Sequence, residues 1–175
     1  MSGRPVPSRP GIDPGYGIGR GGSAPGELLP WERVEQWLEA ARNYWVSTTR
    51  PDGRPHAKPV WGLWLDGRVL FSTDPNSVTG RNIAAGSPVQ IHLESGDEVA
   101  ILDGDLEWPD DPDLLARAVD AYEKKYGIRF DPAPGETPFM ALRPGKILSW
   151  EEADYPETAT RWDVYPEPPT SRNAS

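Results

Sequence analysis

The chain has 175 residues, a formal charge of −9, no cysteine, 21 prolines and 18 glycines. Its length suits one domain with one core, its acidity opposes the counterion release that drives nucleic-acid binding, and the missing cysteines exclude disulfides, thiolate metal sites, iron–sulfur clusters and cysteine nucleophiles. No apolar run approaches the roughly 18–20 residues that cross a bilayer and the start MSGRPVPSRPGIDPG lacks a secretory apolar stretch, so a cytoplasmic protein with neither membrane nor nucleic-acid partner is expected.

Residues 1–29 read as a flexible Gly/Pro-rich tail, because residues 1–26 hold eight Gly and five Pro with few aliphatic side chains. Gly17, Gly19 and Gly22 match the spacing G-x-G-x-x-G, but no strand precedes them and no helix follows, which a dinucleotide site requires. Order is expected over 30–164. Pro30 suits a helix start, and Trp31, Val34, Trp37, Leu38 and Ala41 recur at helical spacing. YWVSTT (44–49) reads as a strand that turns at Pro51-Asp52-Gly53 into a second strand over 54–65. Asp66-Gly67 then makes a tight hairpin into RVLFST (68–73), and Asp74 to Ser77 supplies turn and N-cap chemistry for a short helix over 78–85.

VQIHLE (89–94) alternates apolar with polar residues and forms a second hairpin with the strand beginning near Val99. The longest helix is expected over 110–126, where Leu114, Leu115, Ala118, Val119, Tyr122 and Tyr126 share a stripe that Gly127 ends. Phe139–Leu142 and Lys146–Trp150, separated by Arg143-Pro144-Gly145, read as a last hairpin before an acidic, Pro-rich tail that closes as a second disordered segment over 165–175. Short hairpin-linked strands with three interspersed helices point to a mainly β (α+β) antiparallel barrel rather than a doubly wound sheet.

Chemistry has few places to reside. His56 and His92 fall on different strands without acidic neighbours at ligand spacing, so no metal site is expected, and no G-x-S-x-G elbow marks a hydrolase. On a period of two, His56, Lys58, Val60, Gly62 and Trp64 share one face of their strand, and Ala57, Pro59, Trp61, Leu63 and Leu65 share the other. Pro59 cannot donate to a ladder and marks an edge or a bulge. Ser72, Thr73, Asn76, Ser77, Thr79 and Arg81 cluster where a strand gives way to a short helix, a setting that suits either a phosphate or an ordinary capped helix start.

The segments WVSTTRPDGRPH (45–56), PVWGLW (59–64), FST (71–73), Ser77, RNI (81–83), 98–104 and TRW (160–162) occur in an order and spacing that resembles the pyridoxamine-phosphate-oxidase-like split-barrel flavoproteins, in particular the F420/FMN-dependent reductase branch. The resemblance implies an FMN-binding type of split barrel and an oxidoreductase that passes a hydride from coenzyme F420 or FMN to a small organic acceptor. GRPHAKPVW (53–61) with Arg81-Asn82 looks more like the F420-using branch. It implies cofactor contacts from His56, Lys58, Pro59, Val60 and Trp61 along the ring, with Lys58 near either the ring or the phosphate, and from Ser72, Thr73, Ser77, Thr79 and Arg81 at the phosphate. His92, Arg161 and Trp162 would lie on the substrate side, and a homodimer, its interface built partly from the eight Trp, would share the cofactor. Where many relatives carry a basic residue two positions after the serine, this chain has Thr79, which leaves Arg81 as the main cation. The alternative is a non-enzymatic barrel in which Trp61, Trp64 and His92 pack against or ligate a flavin or a haem.

Overall fold

In the computed structural model, residues 4–11, 27–130 and 138–164 are described. They form β1 (Val6–Ser8), α1 (Trp31–Ala40), β2 (Asn43–Thr49), β3 (Pro55–Leu65), β4 (Arg68–Phe71), α2 (Val78–Ala84), β5 (Val89–Leu93), β6 (Glu98–Glu107), α3 (Pro112–Tyr126), β7 (Met140–Glu151) and β8 (Thr160–Asp163). Local chemistry sets most of these boundaries. Asp66 and Gly67 both take positive φ, 51° and 72°, which lets a two-residue turn match the twist of β3 and β4. Helix α3 opens on Asp111, whose carboxylate accepts from the Asp113 N–H, carries Pro112 in its first turn, and ends at Gly127 with φ 75°.

All pairings are antiparallel, and the order β7-β4-β3-β2-β5-β6 closes because β6 returns to β7. Strand β7 divides the barrel. One of its edges carries β6 along most of its length, while the other carries β4 at Met140–Leu142 and β8 at Lys146–Ser149. Between those two stretches lie Pro144 and Gly145. The expected hairpin at Arg143-Pro144-Gly145 is therefore one continuous, bulged strand. The cause lies across the ladder: register shifts at Asp103/Gly104, and a Cβ on Gly104 would stand 2.0 Å from the Arg143 carbonyl oxygen and 2.6 Å from Pro144 Cα. Only glycine admits the bulge.

Two further differences concern the ends. Val6–Ser8 pairs with β8, so this part of the 1–29 segment is a strand and not a flexible tail; backbone bonding to an open edge needs no apolar side chains. Thr160–Asp163, hidden in an acidic stretch, is the strand it pairs with. Gly17, Gly19 and Gly22, like 165–175, lie outside the described residues. The core has two parts. Trp31, Val34, Trp37 and Leu38 of α1 close the barrel over Tyr44, Val46, Ile91, Leu102, Ile147 and Trp162, and α3 covers Leu63, Leu70 and Phe139 with Ala118 and Tyr122. Trp31, Trp37, Trp64 and Trp162 are thus core residues, and only the other four tryptophans reach the surface.

Candidate functional site

Strand β3 pairs with β2 from Pro55 to Trp61 and with β4 from Gly62 to Leu65. Pro59 therefore lies in a stretch bonded to β2 but not to β4, which suits a residue without an N–H. Along this stretch Pro55, Ala57, Pro59 and Trp61 are exposed, whereas His56 and Lys58 are half-buried and Val60 is buried. The period-two split anticipated from the sequence holds, with a consequence for the expected site: Pro59 and Trp61 do not share a surface with His56, Lys58 and Val60.

Lys58 reaches the junction of β4 and α2. Its ammonium donates to Thr73 Oγ1 at 2.9 Å, Thr73 Oγ1 lies 3.1 Å from Ser77 Oγ, and Ser77 Oγ accepts the Gly80 N–H at 3.0 Å as the cap of α2. Either hydroxyl can donate in the Thr73–Ser77 contact, because Thr73 has a second lone pair besides the one that accepts from Lys58. Among the described residues this leaves one hydroxyl proton of the Thr73–Ser77 pair and two ammonium protons of Lys58 for a ligand. The turn that places them is tight, since a Cβ on Gly80 would stand 2.4 Å from the Asp74 carbonyl oxygen. Ser72 and Thr73 border a cleft of about 580 Å³ whose far wall includes Ile83, Trp108, Phe139 and Met140.

Thr79 and Arg81 do different work from that expected. Thr79 is completely buried and its Oγ1 lies 3.2 Å from His56 Nε2. Beside it, buried Asn82 donates to Thr48 Oγ1 at 3.0 Å. These bonds pin α2 against β2 and β3. Buried polar groups are kept only when paired, so Thr79 is a packing residue of α2. The Arg81 guanidinium turns back to the Asn76 carbonyl oxygen at the exposed end of its own turn. Lys58, on β3, is the cation that meets the hydroxyl cluster.

The remaining expected residues are dispersed. Trp61 stacks on Tyr126 with centroids 4.7 Å apart and planes at 6°, and the Arg42 guanidinium stands 5.6 Å from its ring. His92 stacks on Trp45 at 6.1 Å, and its Nδ1–H donates to the Leu93 carbonyl at 2.8 Å. Trp162 is a core residue whose indole N–H donates to Ser149 Oγ at 2.8 Å, which removes it from a substrate surface. Arg161 pairs with Asp163 at 2.7 Å. The sequence passes over Trp108 and Met140 as cleft residues. Trp108, 59% exposed and set in the acidic run Glu107-Trp108-Pro109-Asp110, carries the one available signal, an aromatic with no apolar neighbours.

A six-stranded antiparallel barrel split at β7, with α1 packed on its interior core, α3 on the opposite face of β3 and β4, and a cation–hydroxyl cluster at the β4–α2 junction, is the split-barrel class. The sequence profile of the pyridoxamine 5'-phosphate oxidase family matches residues 30–151, and the chain belongs to that family. No curated protein sequence matches. Among solved structures, the fold is similar to a conserved hypothetical protein of Mycobacterium tuberculosis, at 20% identity over 74% of this chain and 88% of that one, with a TM-score of 0.56. It is also similar to a pyridoxamine 5'-phosphate oxidase-related, FMN-binding protein of Nostoc punctiforme (20% identity, 82% and 99% coverage, TM-score 0.50). A third is a haem-binding protein of Mycobacterium smegmatis (22%, 80% and 60%, TM-score 0.52).

Proposed function

We propose that the protein binds a flavin-type cofactor, FMN or coenzyme F420, and acts as an oxidoreductase on a small organic acceptor. The observation that carries this is the Lys58 ammonium, which donates to Thr73 beside Ser77 with protons to spare, where Thr73 itself lines a cleft that is otherwise largely apolar. Such a site suits a ligand with an anionic end and a flat, weakly polar body, and the volume lies in the range of about 300–1,000 Å³ usual for small-molecule pockets. The donor set fits the group: one cation and hydroxyl donors for a phosphate, an indole and a thioether for a ring. The bound ring would supply the hydride chemistry. The chain's own part is to fix the phosphate end through Lys58 and Ser77 and to exclude water with Ile83, Trp108, Phe139 and Met140. Arg54 is already neutralised by Asp52 at 2.5 Å, which favours the cofactor with the smaller anionic load, FMN.

The test is a titration with FMN and F420 side by side. Saturable binding of either in the micromolar range is expected, and the absence of both overturns the reading. Lys58→Ala should weaken the bound cofactor by about ten- to a hundredfold, the usual worth of a hydrogen bond to a charged group. The second copy belongs to the same proposal. Pro59, Trp45, His92, Ile101 and Leu148 fall in one register row across β3-β2-β5-β6-β7, on an outer face left partly exposed. A homodimer would bury this row, and Ile101→Glu should shift the sedimentation mass from dimer to monomer. One observation favours the non-enzymatic alternative: with its proton on Nδ1, His92 keeps Nε2 free of any partner among the described residues, as a haem ligand requires. A Soret band on reconstitution, lost in His92→Ala, would select it.

A further inference from the structure

The chain carries 27 acidic side chains against 18 Lys and Arg, so a cation without a carboxylate partner is the exception. Arg33, Arg54, Arg68, Arg117, Arg129 and Arg143 each pair with a carboxylate. Arg42 and Lys125 do not. Arg42, in the link between α1 and β2, has no carboxylate partner among the described residues, although Glu94 lines the same groove; Glu94 accepts from Asn43 at 3.0 Å instead. Lys125, in the last turn of α3, donates to two carbonyl oxygens, of Gly62 at 3.1 Å and of Glu39 at 3.5 Å. Burial between the Tyr44 and Tyr126 rings, and then the Arg42 charge, push its ammonium down to about 8, while the Glu39 carboxylate acts on Tyr44. Two neighbouring cations with no carboxylate between them favour an anion brought in from outside.

An open ring face adjoins these charges. Trp61 is 36% exposed and stacks on Tyr126 with centroids 4.7 Å apart. The Arg42 guanidinium lies 5.6 Å from the Trp61 centroid and 5.5 Å from that of Tyr126. A point equally far from two stacked rings lies beside the stack and not over its outer face. Tyr122, 4.6 Å from Tyr126 and 6.4 Å from Trp61, sits on the Tyr126 side. None of these groups therefore covers the face of Trp61 turned away from Tyr126. The guanidinium is a planar fork that takes a carboxylate through two hydrogen bonds, and an indole face takes an offset ring. Because the cation borders the ring, the acid that uses both is one joined directly to the incoming ring. A phosphate on a flexible chain, as in FMN, does not match that spacing.

We propose that Trp61, Arg42 and Lys125 form a second binding site, for a small planar aromatic carboxylate whose ring lies on the open Trp61 face and whose carboxylate pairs with Arg42 in the field of Lys125. The site shares no residue with the Lys58 cluster and stands apart from the cofactor reading.

The experiment is isothermal titration of the full chain with 2-naphthoate at low ionic strength and at a pH matching the Lys125 value of about 8, in two buffers of different ionisation heat, with acetate as the comparison that lacks a ring. Saturable binding is expected, with uptake of up to about half a proton, because an anion beside Lys125 stabilises an ammonium that is about half-charged at that pH. Lys125→Met should abolish the uptake. Arg42→Gln should weaken naphthoate about tenfold, the worth of a hydrogen bond to a charged group, and Trp61→Leu should bring it down to the affinity of acetate. FMN affinity should stay within a factor of about two in all three variants, so either reading can fail alone. Acetate binding as tightly as naphthoate, an affinity that ignores Arg42→Gln and Trp61→Leu, or uptake that survives Lys125→Met identifies general attraction of anions and overturns the proposal. So does the absence of binding to the wild type. A Trp61→Leu chain that sediments as a monomer where the wild type is a dimer assigns this face to the contact between copies, which overturns it as well.

Discussion

The two halves of β3 are built from one continuous strand and do opposite things. From Gly62 to Leu65 the strand is clamped: β4 bonds one edge, Leu63 and Trp64 are buried on opposite faces, and the other edge of Gly62 is finished by α3. There the Tyr126 hydroxyl accepts the Gly62 N–H at 2.9 Å, and the Lys125 ammonium donates to the Gly62 carbonyl at 3.1 Å. From Pro55 to Trp61 only β2 bonds the strand, and two of its three inward side chains are an imidazole and an ammonium, with Val60 the one aliphatic. The first arrangement spends its polar groups on the fold. The second leaves a cation one hydrogen bond away from a cleft. Stability and binding should therefore separate along a single strand.

The sharpest break of that comparison is Trp64→Ala against Lys58→Ala. Removing the Trp64 ring from a core where it meets Trp31 should cost about 3–5 kcal/mol in chemical denaturation. Lys58→Ala, which removes a half-buried cation with one hydroxyl partner, should change stability by about 1 kcal/mol or less while weakening binding of the proposed cofactor about ten- to a hundredfold. If both variants lost stability alike, the division of β3 would be wrong.

A smaller effect tests how α3 closes the clamped half. Tyr126→Phe removes the acceptor of the Gly62 N–H and the hydroxyl donor that lies 2.7 Å from both the Gly62 and the Arg42 carbonyl oxygens; the Gly62 carbonyl keeps Lys125 and the exposed Arg42 carbonyl can turn to water, so the Gly62 N–H is the group left orphaned. The expected loss is about 1–2 kcal/mol, toward the low end for an unsatisfied group. Hydrogen exchange at the Gly62 amide should rise in step with it.

The same corner gives a pH signature. Lys125 is pushed down from 10.5 to about 8, first by desolvation between the Tyr44 and Tyr126 rings and then by the Arg42 charge. Its folded value lies below its unfolded one, so between these limits the unfolded chain binds more protons and stability rises with pH. Burial moves Tyr44, Tyr122 and Tyr126 the other way, above 10.0, so beyond that pH the folded chain holds more protons and stability falls. Denaturation midpoints should climb from about pH 8 and turn over near pH 10. Lys125→Met should flatten the climb and keep the fall.

How far the sequence discloses these features depends on the range of the interaction that sets each one. Asp66-Gly67, Pro112 and Gly127 act within their own turns, and the β3–β4 hairpin and α3 are legible from them. The alternation of β3 is equally local, which is why Lys58 and Trp61 separate by period alone. Arg143-Pro144-Gly145 misleads because what keeps β7 continuous is Gly104, a glycine on the neighbouring strand about forty residues earlier. Val6–Ser8 and Thr160–Asp163 carry little apolar signal, since each supplies the other with backbone bonds across more than 150 positions. Within the site, Lys58 is found by residue type and face. That Thr79 faces His56 while Arg81 turns away depends on where α2 docks.

The smallest expected effect separates those last two cations. Arg81 occupies the helix position nearest to that of a phosphate ligand in the resemblance, yet its guanidinium is used by the Asn76 carbonyl at an exposed turn. Lys58 comes from the less constrained half of β3 and has donors left over. Arg81→Ala should therefore shift stability by no more than about 0.5 kcal/mol, as exposed substitutions do, and leave FMN affinity within a factor of about two, under 0.5 kcal/mol. Parallel titrations of Arg81→Ala and Lys58→Ala decide the matter. If Arg81→Ala weakens FMN as much as Lys58→Ala does, the guanidinium swings onto the ligand and the cation of the site is shared between strand and helix. If it does not, Lys58 on the open half of β3 is the cation that meets the ligand, and the Arg81 guanidinium serves only its own turn.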